Sequence, residues 1–184
     1  FGFSGYLLPW NEVAFFANQK LYQYARVSTD ADRRPWCLTV SFTHPHDPYV
    51  ARRKYWDLYE GIAELDPPVE DLGYANQDPH SRRLIDACDS HKFDITRETV
   101  RRARQGYFAN ISYIDDKVGD LLETLRTTRM LDNTIVLFTS DHGDMLGERG
   151  LWFKMSFFEG SARVPLMVAG PGVTPRLVSA PVST

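Results

Sequence analysis

Three of the five histidines stand where an apolar run gives way to a polar one: His44 and His46 after residues 36–42, and His142 after residues 134–139. Asp141 and His142 together offer a hard carboxylate oxygen and an imidazole nitrogen, donors that suit one divalent cation. Gly143 and Gly147 would let the backbone turn sharply around such an ion. The pair also reads as an Asp and a His in a polar loop with no metal, and two ligands fall short of a catalytic site. His46 has the chemistry to donate a hydrogen bond to an anionic oxygen or to act as a general acid or base. Its alternative role is to hold a Pro-rich loop by hydrogen bonds. His44 has only its proximity to recommend it and reads as structural. Lys154 lies among Trp152, Phe153, Met155, Phe157 and Phe158. An ammonium partly desolvated there and aimed inward suits a sulfate or phosphate oxygen as a point charge, whereas the usual lysine snorkels to solvent. Cys37 and Cys88 fall inside an expected strand and helix, so inert packing is their reading.

The elements that must hold these residues follow from periodicity. Trp10, Val13, Phe16, Leu21 and Tyr24 predict a first helix over residues 10–28, followed by a polar connector at 28–32. Residues 36–42 are short, β-branched and aromatic with no charge, so they predict a buried strand, which Pro45 and Pro48 then end. A short helix is expected over 51–60, an irregular excursion over 64–80, and another short helix over 82–88. From Thr96, a candidate N-cap, Val100, Ala103, Tyr107, Ile111, Ile114, Val118, Leu121, Leu122 and Leu125 recur at three and four. They predict a helix over 97–130 with a bend near Gly106. Strands at 134–139 and 164–169 complete the pattern. Strand, helix, strand is a βαβ unit with parallel strands, whose ligands sit beyond the strands' carboxyl ends. Both His-bearing loops exit at that edge.

The chain has 184 residues, 21 Lys+Arg against 24 Asp+Glu, and 43% hydrophobic residues, so it is an ordinary globular composition with room for a core. Its net charge of −3 and scattered basic pairs give no reason to expect nucleic acid or a membrane surface as partner. No apolar run approaches the roughly 20 residues that span a bilayer. Two cysteines build neither a disulfide framework nor a cysteine zinc site. Phe1 at the start and a strand-like end predict a piece of a longer chain.

The run from Ser140, Asp141, His142 and Gly143 through Gly147 to Lys154 resembles the second metal motif of type I sulfatases, in the alkaline phosphatase superfamily. The segment Phe42-Thr43-His44-Pro45-His46-Asp47-Pro48-Tyr49 resembles their mid-chain histidine motif, and residues 107–119 resemble a helix typical of them. The wording is most similar to the choline-sulfatase branch. The resemblance implies a three-layer α/β/α sandwich, of which residues 1–184 would be the central part of the catalytic domain, without its nucleophile region and its C-terminal subdomain. It implies that Asp141 and His142 ligate one divalent cation (Ca, Mg or Mn). His46 and Lys154 would contact the sulfate and serve catalysis.

The family's nucleophile is a formylglycine made within a C/S-x-P/A-x-R motif. Neither Cys37 nor Cys88 fits that motif, so formylglycine is expected upstream of Phe1 and this piece alone is expected to be inactive. The implied reaction is hydrolysis of choline O-sulfate, a small sulfate ester. Rivals are an arylsulfatase, a phosphonate or phosphodiester hydrolase, and a non-catalytic domain of the same fold. Two unpaired cysteines suit a bacterial cytoplasm, and the family's habit is to form homo-oligomers.

Overall fold

One long helix organises the chain. In a computed structural model, which describes residues 8–27, 35–62 and 65–182, helix α4 runs uninterrupted over Arg97–Thr127. The Thr96 side chain caps it by accepting a hydrogen bond from the Thr99 amide at 3.2 Å. The expected bend at Gly106 is absent. That glycine lies instead under Tyr49, whose carbonyl oxygen a Cβ there would strike. The connector at 28–32 and both ends of the chain lie outside the described residues.

Helix α1 (Leu8–Val27) packs along α4, burying Ala14, Ala17 and Leu21. Phe16, expected on the buried face, is 58% exposed, because the two helices meet across small residues and Leu21. The Thr124 hydroxyl donates to Asn18 Oδ1 at 2.6 Å between them. The short helix expected after residue 51 is α2 (Arg53–Trp56), prolonged by a 3-10 turn at Asp57–Tyr59.

Strand β1 (Val136–Thr139) pairs antiparallel with β4 (Leu166–Ala169), Val136 opposite Ala169 and Thr139 opposite Leu166. Residues 35–42 alternate between exposed and half-buried, as an extended chain does. Trp36 and Leu38 share one cluster with Val136 against Leu21, Leu125 and Met130, and Phe42 shares another with Phe138 against Tyr55, Ala109, Tyr113 and Ile114. Both segments therefore run the same way along α4, as a βαβ unit requires. The expected parallel sheet nonetheless needs correcting. No ladder joins the two segments among the described residues, so 36–42 is extended chain, and the sheets that exist are antiparallel pairs. A ladder requires backbone groups at hydrogen-bonding distance, and sharing a helical support does not supply them. The opposite face of this layer stays open, with Ile135 63% and Leu137 59% exposed.

The second pair, β2 (Met145–Leu146) with β3 (Trp152–Phe153), is a small hairpin in the loop after β1. Leu151 and Met145 anchor it in a core with Ile85. Helix α3 (Pro79–Ala87) begins earlier than expected, because Asp78 accepts from the His80 and Ser81 amides at 2.9 and 3.0 Å with Pro at the first helical position. The excursion before it is docked: the Arg149 amide donates to the Val69 carbonyl at 3.1 Å, and the Gln77 side chain donates to the Arg149 carbonyl. The short helix α5 (Glu159–Ala162) closes the loop.

Candidate active site

His46 sits in the turn at 43–49, between two cis peptide bonds, His44–Pro45 and Asp47–Pro48. Its Nδ1 lies 2.9 Å from the Asp47 carboxylate and 3.0 Å from the Asp47 carbonyl. Two acceptors on that side put the proton of the neutral ring on Nδ1 and leave Nε2 as acceptor. Nε2 faces the Lys154 ammonium at 2.5 Å. The His46 ring meets the His142 ring edge-on, centroids 6.1 Å apart, and His142 Nε2 lies 3.6 Å from Asp141 Oδ2. All four predicted site residues thus form one continuous line, Lys154–His46–His142–Asp141. Lys154 departs from expectation in one respect: it is exposed, not desolvated among the aromatics. It follows Phe153, whose φ of 68° re-aims the chain at that point.

The Asp141–His142 pair suits a cation in kind. His142 Nδ1 lies 2.8 Å from the Gly143 carbonyl, a contact that places the ring proton there and frees Nε2 to ligate. Partial burial pushes the Asp141 carboxyl up, but its own amide, the His142 ring and the His142 amide outweigh this, so it sits below its ordinary value and stays an anionic donor. The count remains two: among the described residues no group of three or more His, Cys, Asp or Glu could hold a metal.

His44 is buried, its ring packed at a tilt on Tyr113 with centroids 4.9 Å apart. Burial first, then the nearby Arg52 charge, lowers its pKa to about 4.

Behind the site lies a polar layer that apolar periodicity did not reveal. Tyr49 donates to Asp144 Oδ2 at 3.0 Å. Burial raises the Asp144 carboxyl, and raises the Tyr107 phenol to about 12 with help from Asp144 and Glu148. Arg104, buried on α4, holds Glu148 at 2.5 Å and the Leu146 carbonyl at 3.2 Å, while Glu148 accepts the Leu146 amide at 2.6 Å. Asp144, Glu148 and Tyr49 were visible as members of the motifs, but nothing in their spacing assigned them partners on α4. The hairpin turn also concentrates left-handed backbone: Gly147, Arg149 and Gly150 have φ of 92°, 59° and 78°.

The sulfatase family profile matches residues 7–184. The chain is 67% identical to a choline-sulfatase of Rhizobium meliloti (strain 1021) over 173 residues, 94% of this chain and 34% of that protein. It is 39% identical to an iduronate 2-sulfatase of Mus musculus over 156 residues, 79% of this chain and 28% of that one. The structure of a phosphonate monoester hydrolase from Silicibacter pomeroyi superposes with a TM-score of 0.72 at 25% identity, over 89% of this chain and 33% of that one. The alkaline phosphatase-like α/β fold expected from sequence is the fold of these neighbours. The chain thus spans about a third of the length of the relatives it matches.

Proposed function

Because the chain belongs to the sulfatase family, we propose that it carries the sulfate- and metal-binding part of an enzyme that hydrolyses choline O-sulfate to choline and sulfate. The observation that carries this reading is the Lys154–His46 contact at 2.5 Å beside His142. The Lys154 ammonium donates at that distance, and His46 becomes a second donor once its ring is protonated on Nε2 as well, so an oxyanion between them accepts from both. Lys154 then holds one sulfate oxygen as a fixed charge. His46, its Nδ1 side fixed by Asp47, presents Nε2 to a neighbouring oxygen and is placed to carry the proton of the departing alcohol. Asp141 and His142 hold one divalent cation (Ca, Mg or Mn), with further ligands from residues outside this chain. When bound, the cation offsets charge on the sulfate oxygens and lowers the pKa of the nucleophile. That nucleophile, a formylglycine in this reading, also lies outside these 184 residues, since neither cysteine fits its motif.

Choline as the alcohol is supported by the 67% identity to the Rhizobium meliloti enzyme. A second reading, phosphonate or phosphodiester hydrolysis, is favoured by the superposition on the phosphonate monoester hydrolase. The reading places the enzyme in the bacterial cytoplasm as a homo-oligomer, with Cys37 and Cys88 as free thiols. Among the described residues no helix is long and apolar enough to cross a membrane. The test is the intact protein assayed on choline sulfate, an aryl sulfate and a phosphonate ester, with Lys154→Ala and His46→Ala beside it. A preference for choline sulfate, and losses on the order of 10²-fold or more in kcat/KM for each variant, are expected. A higher rate on the phosphonate ester, or full activity in either variant, overturns the reading.

A further inference from the structure

The four site residues come from two loops 95 positions apart, and something must set the distance between them. The Lys154 side is tied to the metal loop through Ser161, a side chain only 2% exposed. Its hydroxyl donates to the Lys154 carbonyl at 2.5 Å, and its carbonyl accepts the Gly143 amide at 2.7 Å. A Cβ at Gly143 would collide with the Gly160 carbonyl, so the two stretches are in direct backbone contact. His46 has no such tie of its own. Its Nδ1 contacts stay within its own turn, at Asp47, and among the described residues its Nε2 meets the exposed ammonium end of Lys154.

The link is Tyr49, three residues after His46. Its hydroxyl donates across to Asp144 Oδ2 at 3.0 Å, two residues after His142, in a part-buried setting. The Tyr49 ring is backed edge-on by Tyr107 at 5.8 Å, and its backbone is seated on Gly106 of α4. The tyrosine is therefore fixed at both its main chain and its ring, and the hydroxyl reports that fixed position to the metal loop.

We propose that Tyr49 and Asp144 are positioning residues whose hydrogen bond sets the separation between the His46–Lys154 pair and the Asp141–His142 pair. The proposal rests on the reading that these pairs bind sulfate and cation. Neither residue needs to touch substrate. Loss of the bond lets the His46 turn shift while Lys154 stays held through Ser161, and a displacement near 1 Å is worth about 10²-fold in rate.

The test uses the intact protein with Tyr49→Phe, Asp144→Ala, the double variant and Asp144→Asn, which keeps an acceptor oxygen. Turnover of a sulfate ester is expected to fall roughly 10- to 100-fold in kcat for each of the first two, with KM changed less. The double variant should fall no further than the worse single one, and Asp144→Asn should restore most of the rate. A readout independent of turnover is the ring ¹⁵N spectrum of the histidines. His46 signals should move in Tyr49→Phe, while Tm and the His44 signals hold. Additive losses, unchanged kcat, or an unmoved His46 overturn the proposal. An intact protein with no turnover on any sulfate ester overturns the sulfatase reading instead, and the ¹⁵N comparison still decides the tether.

Discussion

Replacing Arg104 by Met leaves the Glu148 carboxylate with its countercharge gone in a place water barely reaches. The two side chains are 8% and 17% exposed and meet at 2.5 Å. Breaking such a pair from one side costs about 3–5 kcal/mol. Met retains most of the packing volume, so little of that is cavity. The Arg104 Nε, buried with no hydrogen-bond partner, is a penalty the variant relieves, which favours the lower end of the range. The double variant Arg104→Met/Glu148→Leu removes both charges. It leaves only the Leu146 amide and carbonyl without the partners they have at 2.6 and 3.2 Å, at about 1 kcal/mol each. The double variant should therefore be more stable than Arg104→Met alone. Glu123→Gln, at a helix-surface pair with side chains 56% and 63% exposed, is the control and should cost less than about 1 kcal/mol. Equilibrium urea unfolding, with equal m-values across the set, measures all four proteins. A loss below about 1 kcal/mol in Arg104→Met, or a double variant no more stable than Arg104→Met, refutes the reasoning.

Stability should also fall in mild acid through His44. Its folded pKa near 4 lies below the ordinary 6.5, so its contribution is fully present above pH 6.5 and is lost as pH falls to about 4. The shift corresponds to about 3 kcal/mol, and urea titrations of His44→Gln should show a flatter pH dependence over that window. Gly106→Ala gains helix propensity of about 1 kcal/mol, but its methyl displaces the Tyr49 carbonyl. A net loss of roughly 1–2 kcal/mol in thermal unfolding is expected, and a stabilised variant would show that α4 can yield there. Asp141→Asn should weaken Mn²⁺ binding by more than about tenfold in calorimetry. Unchanged affinity would make Asp141 a loop residue only.

The meeting of His46, Asp141 and His142 was legible because each follows an apolar run, and apolar runs mark where a buried chain must surface. Direction was legible too: the segment at 36–42 and β1 run parallel along α4, with Phe42 beside Phe138. The ladder was not, because residue type records which face is buried and not which backbone lies next to it. The face of α4 was legible in its apolar part but for Ile111, and its polar part was not, for a related reason. Its buried positions include Arg104, Gln105, Asn110 and Thr124, which an apolar count passes over, while Ile111 is 42% exposed. Polar residues become buried only when their partners arrive from elsewhere, here from Glu148 and Asn18. The start of α3, expected at residue 82, lies instead at the cap formed by Asp78 with Pro79 after it.

Arg149 and Phe153, with φ of 59° and 68°, have a consequence for anyone who heats this protein or redesigns it. A side chain in that conformation is disfavoured by about 1–2 kcal/mol relative to glycine. Glycine at either position is therefore among the simplest gains in thermostability the chain offers. Both positions come within the five residues before Lys154, and Arg149 lies over the Phe158 ring at 4.6 Å. A selection for heat resistance alone would drift toward glycine here and loosen the lysine. Heat resistance and the placing of Lys154 thus pull against each other within residues 149–153, and a screen that scores both will see it there.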